Sequence, residues 1–240
     1  MPVQVVLAPA KLTVSLRVTG VRADGLHLLA AEMVSLDLAD ELAIDGDGDG
    51  LEVVGGTGLD VPSDDDNLVR RALRLVGRTA FVRLTKRIPA GAGLGGGSAD
   101  AAAILRWAGV DDALAASSLG ADVAFCLAGG RARVSGVGEI VEALPFVARS
   151  FTLLTPPFGC STPAVYRAWD ELGGPSGVGP NDLEPPARAV EPRLAEWRSR
   201  LAEATGAVPV LAGSGSTWFV EGAFPHAGLV ARTVPSSRHE

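Results

Sequence analysis

Apolar and polar positions sort this chain into extended pieces and a few amphipathic helices. Val3-Gln4-Val5-Val6-Leu7-Ala8 is an apolar run of strand length, and Leu12 to Val18 alternates with the two-residue period of a half-buried strand. Glu32 to Leu38 and Glu41 to Ile44 continue the extended pattern. The turn Asp45-Gly-Asp-Gly-Asp-Gly50 leads into Leu51-Glu52-Val53-Val54, and a hairpin is expected there. That turn imitates the start of a calcium loop, but the twelfth position is Gly56 where a bidentate Glu is required, and the flanks read as strands.

The period then changes. Leu68, Ala72 and Leu75 recur at helical spacing beside Val69, Leu73 and Val76. Ser63-Asp64-Asp65-Asp66 stand ahead of them, where a helix end favours negative charge, so a capped surface helix accounts for the acidic run. Phe81 to Leu84 reads as a short strand, Ala99 to Leu105 as a helix of small residues, and Ala113 to Leu119 as another helix. Arg131 to Val134 and Glu139 to Glu142 frame a hairpin around Gly136-Val-Gly138.

Pro145 marks a boundary, which predicts domains 1–145 and 146–240. The second half opens with a strand from Phe151 to Leu154. Helices at Pro163–Leu172 and Pro192–Glu203 follow, separated by the Gly/Pro stretch Gly173 to Pro180. Val208–Ala212, the loop Gly213-Ser-Gly-Ser-Thr217 and Trp218-Phe-Val220 close the pattern. Strands and helices mix without regular βαβ alternation, which predicts an α+β fold and not a parallel doubly wound sheet.

Composition narrows the classes. A chain of 240 residues that is 47% hydrophobic has material for one or two domains and a sizeable core. No run approaches about 18 apolar residues, so no membrane span is expected. The N-terminus shows no basic stretch ahead of an apolar one, so no secretory leader is expected. Cys126 and Cys160 form no disulfide framework and point to a reducing, cytoplasmic compartment. With His27, His226 and His239 as the only histidines, a Cys/His zinc site is not expected. A net charge of −7 without a basic cluster excludes nucleic acid as a partner. An anionic ligand would therefore need local help from backbone N–H groups, a helix end, a placed lysine and a divalent cation.

The run from Pro89 to Ala103 supplies such help. Gly91, Gly93, Gly95, Gly96 and Gly97 fall within seven positions, and a helix-forming run follows at once. Glycine allows φ > 0 and close backbone approach to a ligand, and a helix N-terminus adds unpaired N–H groups with a partial positive charge. Such a loop is an anion cradle, phosphate being the commonest anion bound so. A flexible linker lacks the apolar segment behind it. Gly91, Gly93 and Gly96 satisfy G-x-G-x-x-G, but Pro89 interrupts the approaching strand and no second strand ends in an acid at the required distance. A Walker A loop needs lysine before Ser98, where Gly97 stands.

Phosphoryl transfer needs further groups. Lys11 lies among apolar residues, where a lysine usually snorkels. Asp122 follows Leu119-Gly120-Ala121, where an aspartate is usually a turn or cap residue. The Gly213–Thr217 loop reads equally well as a plain hairpin turn.

Together these pieces resemble the GHMP kinase superfamily. The resemblance rests on Ala8-Pro-Ala-Lys-Leu12, Arg22-Ala-Asp-Gly-Leu-His27, Asn67-Leu68, Gly93-Leu-Gly-Gly-Gly-Ser-Ala-Asp-Ala-Ala102 and Leu119-Gly-Ala-Asp-Val123. Gly136-Val-Gly-Glu139, Ser161-Thr-Pro-Ala-Val-Tyr166, Asn181-Asp-Leu-Glu184 and Gly213-Ser-Gly215 continue it in order over nearly the whole chain. It implies a ribosomal S5 domain 2-like N-terminal domain and a ferredoxin-like C-terminal domain, with ATP and substrate meeting in the cleft between them. The triple glycine before Ser98 and Arg-Ala-Asp-Gly-x-His point to the branch that phosphorylates a cytidine diphosphate conjugate of methylerythritol.

By that resemblance Asp122 is the catalytic base and Lys11 its partner, a pairing that keeps the carboxylate ionised at neutral pH. Pro89, Gly91, Gly93, Leu94, Gly95, Gly96, Gly97 and Ser98 hold the ATP phosphates, with Ser98 near Mg²⁺. Asn67 and Lys86 match positions near the adenine. His27, Tyr166, Thr13, Gly213, Ser214 and Gly215 fall on the substrate side, with His27 bonding the cytosine edge and Tyr166 stacking on its face. A monomer or homodimer in the cytoplasm is expected. The chain departs from the pattern at Leu26, where tyrosine is usual, at Thr13, where asparagine is common, at Ala124, where proline is usual, and in a short segment between Leu105 and Leu119. A kinase for a different alcohol and a non-catalytic nucleotide-binding relative remain the alternatives.

Overall fold

The computed structural model describes residues 2–56, 60–174 and 179–236; His239 and part of the Gly173–Pro180 stretch lie outside them. Two antiparallel-dominated sheets carry the chain. The first contains β1 (Gln4–Val21), β2 (His27–Asp45), β3 (Gly50–Gly55), β4 (Phe81–Lys86), β5 (Arg131–Gly136) and β6 (Ile140–Ala143). The second contains β7 (Ser150–Leu154), β8 (Val210–Leu211), β9 (Trp218–Glu221) and β10 (Leu229–Arg232), in the order β10-β7-β9-β8. The helices are α1 (Leu68–Leu75), α2 (Gly96–Trp107), α3 (Ala113–Leu119), α4 (Ala121–Ala128), α5 (Thr162–Glu171), α6 (Glu184–Val190) and α7 (Leu194–Thr205).

Several expectations change. The two pieces expected on either side of Lys11 form one strand, β1, which pairs along its length with β2. Its register shifts between Pro9 and Lys11 and between Thr13 and Ser15. Pro9 has no N–H for a ladder, so a bulge beside it lets the strand bend without ending. The hairpin expected at Asp45–Gly50 is not one. β4 lies between β2 and β3, antiparallel to β2 and parallel to β3. Turn-rich sequence between two apolar runs shows that the chain reverses, not which strand becomes the neighbour. The acids before α1 do not cap it; Asn67 does, its Oδ1 accepting from Val69 N at 2.8 Å. Asp122, locally a turn or cap residue by sequence, lies in the first turn of α4, with Gly120 at the cap. α6 and β10 were not legible in the pattern. The hairpin β5–β6 and helix α3 stand where expected, and Asp112 caps α3.

The core of the first half lies between its sheet and α1, α2 and α4, with Leu12, Leu36, Leu42, Leu84, Ile104 and Phe125 fully buried. Ala99, Ala101, Ala102 and Ala103 are buried on every side of α2, and Ala8 and Ala10 are buried on β1. Small side chains on both elements let helix and strand backbones approach closely, which fixes the loop that starts α2 against β1. Lys11 N donates to Leu94 O at 3.0 Å across that contact.

The second half is pinned to β1 and β2. Leu16 bridges Asn181 in parallel, and Leu36 bridges Thr233. Asp182 accepts from Val18 N at 3.0 Å and from Arg17 at 2.7 Å. No helix of the described residues is long and apolar enough to cross a membrane.

Candidate active site

Two cavities meet at the glycine loop. One, about 410 Å³, runs along Pro89–Ser98 and is also lined by Asn67, Lys86 and Asp100. The other, about 610 Å³, lies between the two halves and is lined by Lys11, Thr13, His27, Asp122, Tyr166 and Gly213 among others. Gly93, Gly95 and Ser98 belong to both walls. A ligand filling the first cavity therefore touches a ligand filling the second at these residues. A third depression, about 1060 Å³, shares no lining residue with either.

The loop is built by glycine where a side chain has no room. Gly93 has φ +77°, and a Cβ there would meet the carbonyl oxygens of Ala212 and Gly215 at 2.6 Å. Gly95 has φ +69° and is the N-cap of α2; a Cβ there would stand 2.6 Å from Lys11 Cγ. No side chain caps α2, so no side chain competes with a ligand for the N–H groups at its start. The stretch whose glycines and following helix start suggest a phosphate cradle lines this cavity.

Lys11 and Asp122 come together on the wall of the larger cavity. Lys11 Nζ lies 3.2 Å from Asp122 Oδ2 and donates to Thr13 Oγ1 at 3.1 Å. The lysine is buried at 5% exposure, while the Asp122 side chain keeps 32%. The ammonium is thus fixed inside, and the carboxylate is the member that a ligand can reach. A Cβ on Gly213 would lie 3.5 Å from Lys11 Nζ, so the late glycine loop closes on the same point. Asn181 holds that loop by donating through Nδ2 to the carbonyls of Leu211 and Gly213, at 2.8 and 2.7 Å. Ser214 Oγ and Thr162 Oγ1 are bonded at 2.8 Å.

At the other end of the cavity the His27 ring tilts over Tyr166, centroids 4.7 Å apart, with Trp169 edge-on at 5.4 Å. Burial, with the charge of Asp122 behind it, pushes the Tyr166 phenol above its ordinary range, so the ring is neutral. Leu26 also faces this cavity and is half exposed.

Asn67 and Lys86 line the phosphate-loop cavity, but their polar groups are engaged within the protein. Asn67 caps α1 and donates to Pro62 O at 2.6 Å. Lys86 Nζ donates to Asp40 Oδ2 and, at 2.8 Å, to Asp100 Oδ2; all three side chains are almost fully buried. Burial lowers the Lys86 pKa, and the two carboxylates outweigh it and raise it. Burial pushes the Asp100 carboxyl up to about 7, with Lys86 opposing. Asp40 is satisfied further by Ile88 N at 2.8 Å, whereas Asp100 Oδ1 has no partner. A Cβ on Gly96 would lie 3.1 Å from Lys86 Nζ, so this trio sits directly under the loop. Asp40, Asp100, Asp170 and Asn181 were not singled out from sequence; an isolated Asp or Asn in a short motif carries no sign of its distant partner.

The donor set suits magnesium. Ser98 offers a hydroxyl at the junction of the cavities and Asp122 a carboxylate on the wall of the larger one, and no group of three or more His, Cys, Asp or Glu able to hold a metal exists among the described residues. Mg²⁺ takes one or two protein oxygens together with substrate phosphates and water, and needs no larger cage.

Known proteins resemble this chain in sequence and in fold. Residues 67–130 match the family described as GHMP kinases N terminal domain. The chain is 40% identical over 236 residues to a 4-diphosphocytidyl-2-C-methyl-D-erythritol kinase of Paracoccus denitrificans, covering 88% of this chain and 84% of that protein. It is 38% identical over 241 residues to the protein of that name from Cereibacter sphaeroides, covering 88% and 87%. A crystal structure of 4-(cytidine 5'-diphospho)-2C-methyl-D-erythritol kinase superposes with a TM-score of 0.75 at 32% identity, over 96% of this chain and all of that one. Homoserine kinase from Cytophaga hutchinsonii shares the fold at a TM-score of 0.62 and 17% identity, over 98% of this chain and 96% of that one.

Proposed function

We propose, from the premise that this chain belongs to the 4-diphosphocytidyl-2-C-methyl-D-erythritol kinase family of GHMP kinases, that it moves the γ-phosphoryl group of ATP to the 2-hydroxyl of that erythritol conjugate. The observation that carries the reading is the Lys11–Asp122 pair on the wall of one cavity, beside glycines shared with the other.

In this reading the nucleotide's polyphosphate lies along Pro89–Ser98, with its charge met by backbone N–H groups and the start of α2. The alcohol sits against Asp122. Asp122 accepts the hydroxyl proton as the alcohol oxygen bonds to the γ-phosphorus and the bond from that phosphorus to the ADP oxygen breaks. Lys11 holds the carboxylate in place and offsets charge on the transferring group. Ser98 would hold Mg²⁺, which when bound supplies further neutralisation of that charge. Thr13 and the Gly213–Gly215 loop shape the floor around the acceptor. His27 and Tyr166 take the cytosine. Asn67 and Lys86 support the nucleotide site from beneath, their polar groups being bonded to Pro62, Val69, Asp40 and Asp100.

In this reading domains 1–145 and 146–240 are each built on one sheet, with the reaction between them. A monomer or homodimer and a cytoplasmic location go with the reading. Leu26 is the observation that favours a second reading, a kinase for another alcohol. The deciding experiment follows ADP release on adding the diphosphocytidyl conjugate, with CDP as competitor. Turnover that CDP inhibits supports the first reading; turnover indifferent to CDP, with another alcohol as acceptor, supports the second.

A further inference from the structure

His27 Nε2 lies 2.9 Å from Asp170 Oδ1, a partner that no motif announces. Asp170 stands on α5, one turn beyond Tyr166, and both face the larger cavity. The carboxylate accepts and cannot donate, so the contact requires the ring proton on Nε2. In a neutral imidazole the other nitrogen is then a bare acceptor. No described residue bonds Nδ1, and it is not among the buried atoms left without a partner. His27 lines the cavity, which leaves Nδ1 as its ring nitrogen for a ligand there.

Resting on the cytidine reading above, we infer that Asp170 is a positioning residue that selects cytosine over uracil by fixing His27 with Nδ1 as an acceptor. Cytosine carries an amino donor at C4, whereas uracil carries an oxygen acceptor there. An acceptor on the protein bonds the first and repels the second. The stacking geometry agrees. His27 lies over Tyr166 at 4.7 Å with the ring planes 33° apart, so a base bonded edge-on to His27 lies beside it, next to the same aromatic ring. Trp169, edge-on to His27 at 5.4 Å, limits rotation of the ring. The Leu26 side chain provides apolar contact and no hydrogen-bonding group, and the His27–Asp170 pair supplies a fixed acceptor at this end of the cavity.

The test is calorimetric binding of CDP and UDP at pH 8, with ADP present to fill the phosphate loop. Wild type is expected to favour CDP about tenfold or more, the size of one well-placed base contact. Asp170→Ala is expected to bring the ratio below threefold, because the ring then adopts either tautomer. Asp170→Asn keeps an acceptor oxygen and is expected to restore the ratio to within threefold of wild type. The Asp170 side chain is half exposed, so thermal melting confirms that both variants fold. An unchanged CDP-to-UDP ratio in Asp170→Ala overturns the inference alone, even if both nucleotides bind more weakly. Wild type that binds the two equally, or neither, overturns the inference together with the cytidine reading.

Discussion

Lys11 and Asp122, on the first strand and the fourth helix, meet at 3.2 Å on the wall of the cavity between the two halves. The pair depends on three separate pieces of backbone. A bulge in β1 turns Lys11 toward the glycine loop, Gly120 starts the helix that carries Asp122, and Gly95 leaves space for the lysine stem. Loss of any one of them changes the distance between ammonium and carboxylate.

Gly95 provides a direct test of that dependence. Gly95→Ala forces a Cβ to within 2.6 Å of Lys11 Cγ at a φ of +69°. The backbone strain alone costs about 1–2 kcal/mol, and the clash moves Lys11 away from Asp122. Gly206→Ala is the control: its φ is +68°, but no atom lies within 4 Å of the added carbon. Both variants are expected to melt earlier, Gly95→Ala by more because the clash adds to the shared backbone strain, while kcat falls at least tenfold in Gly95→Ala only. Equal kcat in the two variants would show that the loop tolerates displacement of Lys11.

The buried trio under the loop sets a pH dependence of stability. Burial raises Asp100 from its ordinary 3.8 to about 7 in the folded chain. Between about pH 4 and 7 the folded chain holds a proton that the unfolded chain has released, so stability falls as pH rises through that window and levels off above it. Asp100→Asn removes this contribution. Denaturant melts at pH 4.5, 6 and 8 are expected to show a smaller loss with rising pH in the variant than in wild type. Parallel curves would place the proton elsewhere.

Stacking of the proposed cytosine on Tyr166 is expected to scale with aromatic surface. Tyr166→Phe keeps the ring and is expected to bind CDP within about threefold of wild type. Tyr166→Ala is expected to lose about 1–3 kcal/mol, or roughly tenfold and more, as base–aromatic contacts do. Leu26→Tyr, at a half-exposed position on the same cavity, adds a second aromatic face and is expected to tighten CDP by a similar factor. Titration calorimetry reads all three. An unchanged affinity in Tyr166→Ala would move the base away from this ring.

Much of this site was legible because its signals are local. Five glycines ahead of a small-residue helix need no partner to be read as a cradle, and hydrophobic periodicity placed α3 and the β5–β6 hairpin. What was not legible depends on distant pairing. The order β3-β4-β2 follows from which strand β2 meets, and Asp45–Gly50 looks the same whether it closes a hairpin or a crossover. Lys86 matches a position near the adenine in sequence, and only the structure shows Asp40 and Asp100 enclosing its ammonium. Asp170 and Asn181 act through His27 and the Gly213 loop, and nothing within a few residues of either one indicates this.

The central claim is that Asp122 takes the proton of the attacking alcohol while the glycine loop holds the nucleotide. Asp122→Asn keeps the side-chain shape and an oxygen facing Lys11 but removes the base. Single-turnover rate and nucleotide Kd, measured on the same preparation, separate the two roles. The rate is expected to fall about 10²–10⁴-fold, with the Kd for ATP within threefold of wild type. A rate within a few-fold of wild type, nucleotide binding intact, would contradict the account.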